Sequence, residues 1–322
     1  MDPVFGRRAL LAAAILLLPA AARAQDYPSQ DLRFICGFPA GSGADVLVRY
    51  MAEKVRTPAG RTIIVENKVG AAGNIAALYT AKSRPDGYTI YVHAASAIAA
   101  NMHLFKAPPL DAARDLQIAA GVNKQPFMVV VSTASPYKTL AELTQAMKEK
   151  GEKASYAQSN TSGKVMGELY KQATGVKAVE VPYRTANDSL NDFASGRIDY
   201  GMMDPVSALS NARAGRWRML AVSTPQRMQA VAELPTMAEA GVPGVELLTW
   251  FAALVPSATP RPIVDKINKW FNDVLATDES RQFLNSFGGD PFITTPDEAQ
   301  ALFRQSIKDW EHYVRAASIQ PQ

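Results

Sequence analysis

Apolar and polar positions follow two rhythms along this chain. Short continuous apolar runs, bounded by Gly, Pro or Asp-Gly turns, alternate with longer stretches whose apolar residues recur every three or four positions. The first rhythm predicts buried strands, the second amphipathic helices. Strands are expected at 32–37, 61–66 and 89–93, with helices following each near 46, 75 and 101, and a loop centred on Ser96. That order is the alternation of a parallel sheet with crossover helices. A second array opens with a strand at 127–132 and continues through strands at 154–157, 178–182, 198–203 and 218–223. Its helices are expected at 140–150, 164–174, 188–195 and 206–214, with Thr139 the N-cap of the first. A strand at 250–255 and helices at 261–276, 278–286 and 296–317 close the chain. Two βα arrays and a helical tail predict two similar lobes with a cleft between them.

The N-terminus follows neither rhythm. Arg7-Arg8 precedes an apolar run at 9–22, and Ala22-Arg23-Ala24 offers a small-x-small cleavage site, the pattern of an export signal. The run falls short of the ~20 residues a bilayer needs. Cleavage after Ala24, by the general or the twin-arginine route, leaves 298 residues in the periplasm. It also removes Arg7, Arg8 and Arg23 against Asp2, taking the net charge from +4 to +2. Such a balance argues against nucleic acid as a partner. The single cysteine, Cys36, permits no disulfide within the chain and sits among strand residues, where packing outweighs reactivity.

Catalytic patterns are missing. His93, His103 and His312 lie in no metal-binding spacing, no G-x-S-x-G elbow occurs, and no two carboxylates are singled out. No cofactor and no metal are expected. Two glycine-bearing strand-to-helix loops carry more information. The first, FPAGSGAD at 38–45, contains Phe38, Ala40, Gly41, Ser42, Gly43, Ala44 and Asp45. Its backbone amides at a helix N-terminus suit a carboxylate or phosphate. An ordinary tight turn would read the same way. The second, Ser159-Asn160-Thr161-Ser162-Gly163, fails as a P-loop because Gln158 stands at the first glycine and Val165 follows the lysine. It remains a hydroxyl-rich anion cradle or a plain helix cap. Tyr183, Arg184 and Asp204 sit at strand ends, where open α/β sheets bind ligands. Gly70 and Gly73 lack the dinucleotide order and fit close helix–strand packing better.

Taken in order, these segments resemble a family, the periplasmic receptors of tripartite tricarboxylate transporters (TctC or Bug-type). The resemblance rests on FPAGSGAD, on Val65-Glu66-Asn67 followed by Gly70-Ala71-Ala72-Gly73-Asn74-Ile75, and on Pro85-Asp86-Gly87-Tyr88-Thr89. It continues through Tyr156-Ala157, Asn160-Thr161-Ser162-Gly163, Val181-Pro182-Tyr183 and Leu220-Ala221-Val222-Ser223-Thr224. Leu234-Pro235-Thr236, Ala238-Glu239-Ala240-Gly241, Pro256 and Thr259-Pro260 complete the set. The resemblance implies a type II periplasmic binding protein fold, each lobe a mainly parallel sheet flanked by helices. Lobe 1 would comprise 25–125 plus 247–322 and lobe 2 would comprise 126–246. It also implies a monomeric, non-enzymatic receptor that closes on a small carboxylate and meets the membrane components of a transporter, or a sensor kinase. The ligand would be held by 40–45 on one side and by 160–163 on the other, with Ser96, Ser159, Tyr183, Arg184 and Asp204 nearby. Two positions depart from the family pattern: Ser42 replaces a usual glycine, and Tyr183-Arg184-Thr185 replaces Tyr-Lys-Gly. The rival reading is an exported α/β enzyme using Ser42 or Ser162 as nucleophile, which requires a base within hydrogen-bond reach.

Overall fold

The computed structural model of the protein describes residues 27–321. The expected export signal and its cleavage point lie outside them. From the start of the described chain, β1 (Leu32–Cys36) leads into α1 (Gly43–Ala59), β2 (Ile63–Asn67), α2 (Asn74–Ala81), β3 (Thr89–Ala94) and α3 (Ala95–Leu104). A short α4 (Ala112–Asp115) precedes the long strand β4 (Leu116–Pro126). One residue, Phe127, separates β4 from β5 (Met128–Ser132). Then come α5 (Leu140–Lys150), β6 (Ser155–Gln158), α6 (Thr161–Thr174), β7 (Val179–Pro182), α7 (Leu190–Ala194), β8 (Tyr200–Met203), α8 (Pro205–Arg213) and β9 (Trp217–Val222). The chain ends with β10 (Leu248–Pro256), α9 (Arg261–Leu275), α10 (Asp278–Ser286), β11 (Asp290–Pro291) and α11 (Pro296–Ala316).

These strands form a six-stranded sheet, β11-β4-β10-β3-β1-β2, and a five-stranded sheet, β7-β6-β8-β5-β9. Both are mixed, where mainly parallel sheets were expected. β1 pairs in parallel with β2 and β3, and β6 with β7 and β8. By contrast β10 runs against β3 and β4, and β5 against β8 and β9. The physical reason is the route of the chain. β1, β3 and β4 all run the same way along the first sheet, and β4 leaves it directly for the second. The strand by which the chain enters each sheet, β5 in one and β10 in the other, must therefore run away from the crossing.

Each lobe has its own apolar packing. On one face of the first sheet Phe34, Val48, Met51 and Phe271 are fully buried in one cluster. A second cluster runs continuously from Tyr91 and Leu254 in the first sheet to Tyr156 and Met166 in the second. Its cover is α11, which packs on α3 and β4 and also touches α6. Trp250 is buried there, donating its indole N–H to Ser306 Oγ at 3.3 Å. Cys36 is fully buried in β1, and burial pushes its thiol pKa up, as a packing role requires.

Two local differences matter for the site. The loop expected around Ser96 is instead the first turn of α3, with Ser96 inside it. The strand β4 has no counterpart in the sequence reading. Ile118-Ala119-Ala120-Gly121-Val122 is an unbroken apolar run, the pattern of a strand covered on both faces. The sequence reading opens a strand only at 127, after the polar stretch Asn123-Lys124-Gln125-Pro126, and assigns none to 116–126.

Candidate functional site

The first loop is built around a buried carboxylate. Ser42 caps α1, its Oγ accepting the Asp45 N–H at 3.2 Å. Gly41 turns the chain with φ +79°, a left-handed conformation that glycine adopts without strain. Asp45, 1 % exposed, accepts from Gly41 N–H at 2.8 Å, Arg49 Nε at 2.8 Å and Asn67 Nδ2 at 2.7 Å. Burial alone would raise its pKa, but these three donors outweigh it and hold the carboxyl below 3.8. The Gly41 amide and the Asp45 side chain are thus spent inside lobe 1. Among the described residues, the N–H groups of Gly43 and Ala44 have no acceptor. They are the first two amides of α1, at the positive end of its dipole.

The second loop follows the same plan more loosely. Asn160 caps α6, accepting the Gly163 N–H at 2.9 Å. The helix begins three residues before the expected 164, so Thr161, Ser162 and Gly163 form its first turn. The Thr161 and Ser162 amides likewise lack acceptors among the described residues. Gly163 is a packing glycine, since a Cβ there would lie 2.7 Å from the Met202 carbonyl oxygen. Because β6 and β8 are parallel neighbours, this loop shares one edge of its sheet with Asp204 at the end of β8. Asp204 caps α8, one carboxylate oxygen accepting the Ser207 N–H at 3.0 Å.

Between the two lobes lies a cavity of about 240 Å³. Of the expected residues, Phe38, Gly43, Ala44 and Asp204 line it. Leu47, Asn123, Gln125, Val206, Phe251 and Phe287 complete the wall, and no motif in the chain points to them. Asn123 and Gln125 come from the unanticipated β4, and their alternation in that strand points both to the same side. Lys124, between them, faces a larger groove of about 590 Å³ behind the strand. The arginines of that groove are already paired, Arg227 with Glu239 and Arg281 with Asp278.

The cavity wall holds unusual polarity. Asn123 is fully buried, yet neither its Oδ1 nor its Nδ2 has a partner. Nearby, the Phe38 ring stacks on His93 with centroids 4.1 Å apart and on Phe251 at 5.9 Å. His93 is also buried with its Nδ1 unpartnered, and burial pushes its pKa down to about 3. It is therefore neutral at pH 7. Gly73 approaches it so closely that a Cβ would meet Nε2 at 2.5 Å, which is the close packing expected of the Gly70–Gly73 turn.

Other expected residues stand apart from this cavity. Ser96 is buried with its Oγ accepting the Trp250 N–H at 3.4 Å. Tyr183 donates to Asp192 at 2.6 Å, and Arg184 is exposed at the end of β7. Ala40 is exposed and Ser159 half-buried. Neither Ser42 nor Ser162 is hydrogen-bonded to a histidine among the described residues, so the geometry offers no paired base. Nor does any group of three or more metal-ligating side chains occur among them.

Known proteins match this chain along most of its length. The model of the tripartite tricarboxylate transporter family receptor, TctC, matches residues 47–319. The protein BugT of Bordetella pertussis is 28% identical over 295 residues, covering 91% of this chain and 90% of its own. Among solved structures, an R. palustris protein determined with adipate shares 30% identity and a TM-score of 0.78, over 92% of this chain and 100% of that one. The periplasmic binding protein BugD shares 26% identity and a TM-score of 0.74, over 92% and 100%.

Proposed function

This chain belongs to the tripartite tricarboxylate transporter receptor family, whose members bind solutes and are not enzymes, and from that membership we propose that it captures a small organic acid between its lobes. The observation that carries the proposal is the cavity between the two sheets, with the unpartnered amides of Gly43 and Ala44 on its wall. Helix N-termini neutralise a carboxylate without a cation, because several amides converge on it and each helix dipole adds to the field. The Thr161 and Ser162 amides, capped by Asn160, are the corresponding donors of lobe 2. Closure about β4 and β10 brings the two sets onto opposite ends of one ligand. The relative bound to adipate supports an acid as the ligand.

The same reading makes the mature protein a periplasmic monomer, cleaved after Ala24, that hands its ligand to the membrane components of a tripartite transporter. Closure stabilises the conformation the membrane partner recognises. Thermal melting of ligand-free protein against di- and tricarboxylates, amino acids and aromatic acids tests the central claim. A true ligand at 100 times its Kd adds about 2.7 kcal/mol of stability. A panel without any shift removes the carboxylate reading.

A further inference from the structure

We infer that the groove behind β4 is a second binding site, separate from the cleft, and that it takes a phosphate monoester with Lys124 at the phosphoryl group. The groove measures about 590 Å³, against about 240 Å³ for the cavity on the other side of the strand. The loop at 224–229 after β9 forms one wall, and α9, α10 and β11 contribute to the rest. Lys124 is half-buried there, its ammonium 4.3 Å from the Phe292 ring centroid. No hydrogen bond or ion pair holds that ammonium among the described residues. Unlike the side-chain atoms of Asn123, its Nζ is not sealed from solvent. Burial pushes its pKa down, and no neighbouring carboxylate pushes it back. It is a cation without a counter-charge, open to one from solution.

The rest of the wall sets the class. Arg227 and Arg281 line the same groove, while their partners Glu239 and Asp278 do not. Both pairs are exposed, and such pairs hold their members weakly. Arg227 keeps its Nη2, and Arg281 its Nε and Nη2, without a partner among the described residues. One carboxylate lines the groove, Asp290, and its two oxygens accept the backbone N–H groups of Gln229 at 2.7 Å and Ala230 at 2.9 Å. Three cations against that one carboxylate leave a balance of +2. A phosphate monoester answers it with a charge of about −1.5 to −2 and three acceptor oxygens on one phosphorus. A monocarboxylate brings one charge and two oxygens. Guanidinium forks and a lysine ammonium are the donors that recognise phosphate. Leu248, Met228 and Ile293 supply an apolar side for the body of the ester.

The experiment is calorimetry on the purified protein at pH 7 in phosphate-free buffer, with phenyl phosphate and benzoate as probes. Phenyl phosphate is expected to bind at one site, at least about tenfold more tightly than benzoate. Lys124→Met keeps the stem over Phe292 and should weaken phenyl phosphate at least about tenfold, whereas Lys124→Arg should retain it. Arg281→Gln, on the exposed face of α10 and away from the cleft, should weaken it several-fold. Melting without ligand checks that each variant folds; should Lys124→Met fail to fold, Arg281→Gln decides. Given binding, flotation with phosphatidylcholine vesicles with and without phosphatidate identifies the source. Capture by the phosphatidate vesicles makes the ester a lipid headgroup, and no capture makes it a soluble one. Absence of phenyl phosphate binding, benzoate binding as tightly, or an affinity that Lys124→Met and Arg281→Gln leave unchanged overturns the inference. The organic-acid reading of the cleft is independent of every one of these results.

Discussion

The two strand-to-helix loops, one in each lobe, share a plan but differ in how far side chains support them. In lobe 1 the loop before α1 is stitched to its sheet by Asp45, which gathers Gly41, Arg49 and Asn67 onto one buried carboxylate. In lobe 2 the loop before α6 has a single side-chain cap, Asn160 on the Gly163 N–H. Both arrangements leave two amides free, but only the first fixes the whole approach to the helix. The contrast teaches that one side-chain cap is enough to leave two helix-start amides open. The extra carboxylate gives rigidity, not donors. In the proposed receptor, lobe 1 would present the preformed half-site and lobe 2 the half that closes upon it.

The largest expected effect breaks that rigidity. Asp45→Ala strands the Arg49, Asn67 and Gly41 donors and should cost about 2–3 kcal/mol in urea unfolding, with Arg49 half-exposed and so discounted. Asn160→Ala should cost only about 1 kcal/mol, the usual loss of an N-cap. Equal losses would show that the two loops are supported alike. Asp45 also gives lobe 1 an acid limit. Its folded pKa lies below 3.8, so its contribution is complete above that value and is lost as pH falls through the folded pKa.

A second difference between the lobes lies in His93. Histidines occur at 93, 103 and 312, none of them between β5 and β9. His93 has a folded pKa of about 3 against 6.5 when free. Below 6.5 the unfolded chain takes up a proton that the folded chain refuses, so stability falls as pH drops from 6.5 towards 3. Between pH 7 and pH 5 the loss is about 2 kcal/mol, and His93→Phe should abolish it. Urea midpoints of both proteins at pH 7, 6 and 5 measure the difference. Parallel curves would mean that His93 is protonated in the fold.

The two glycines separate effects on stability from effects on binding. Gly43 has free space where a Cβ would stand, with no neighbour nearer than 4.0 Å. Gly43→Leu should therefore leave the melting temperature nearly unchanged and weaken ligand binding about tenfold by filling the cleft. Gly163→Ala drives its methyl against the Met202 carbonyl and should cost about 1–3 kcal/mol even without ligand. Unchanged affinity in Gly43→Leu returns the first loop to a mere turn.

Much of this architecture was legible in the chain. Continuous apolar runs located β1, β3 and β5, and 3.6-residue periodicity located α9 and α11, to within a residue or two. The two strand-to-helix loops were legible as helix starts because glycine and capping residues there act on amides only two or three positions away. The long strand β4 was not, since Gln117 and the polar stretch Asn123-Lys124-Gln125-Pro126 bound its apolar run closely and give it the composition of a loop. With it went Asn123 and Gln125, which resemble ordinary loop amides until pairing with β10 sets their register.

Sequence alone determined most of the elements and the two capped helix starts that follow glycine-bearing loops, because these depend on residues close together in the chain. Tertiary structure decided which polar groups remain free. Asp45 has the same chemistry as Asp204, yet packing consumes Asp45, as it does the Ser96 hydroxyl, and leaves Asp204 one open oxygen. Hydrogen-bond partners are assigned by distant segments, Asn67 for Asp45 and Trp250 for Ser96, and no local pattern encodes them. The lining of the cavity exists only once both lobes and β4 are in place.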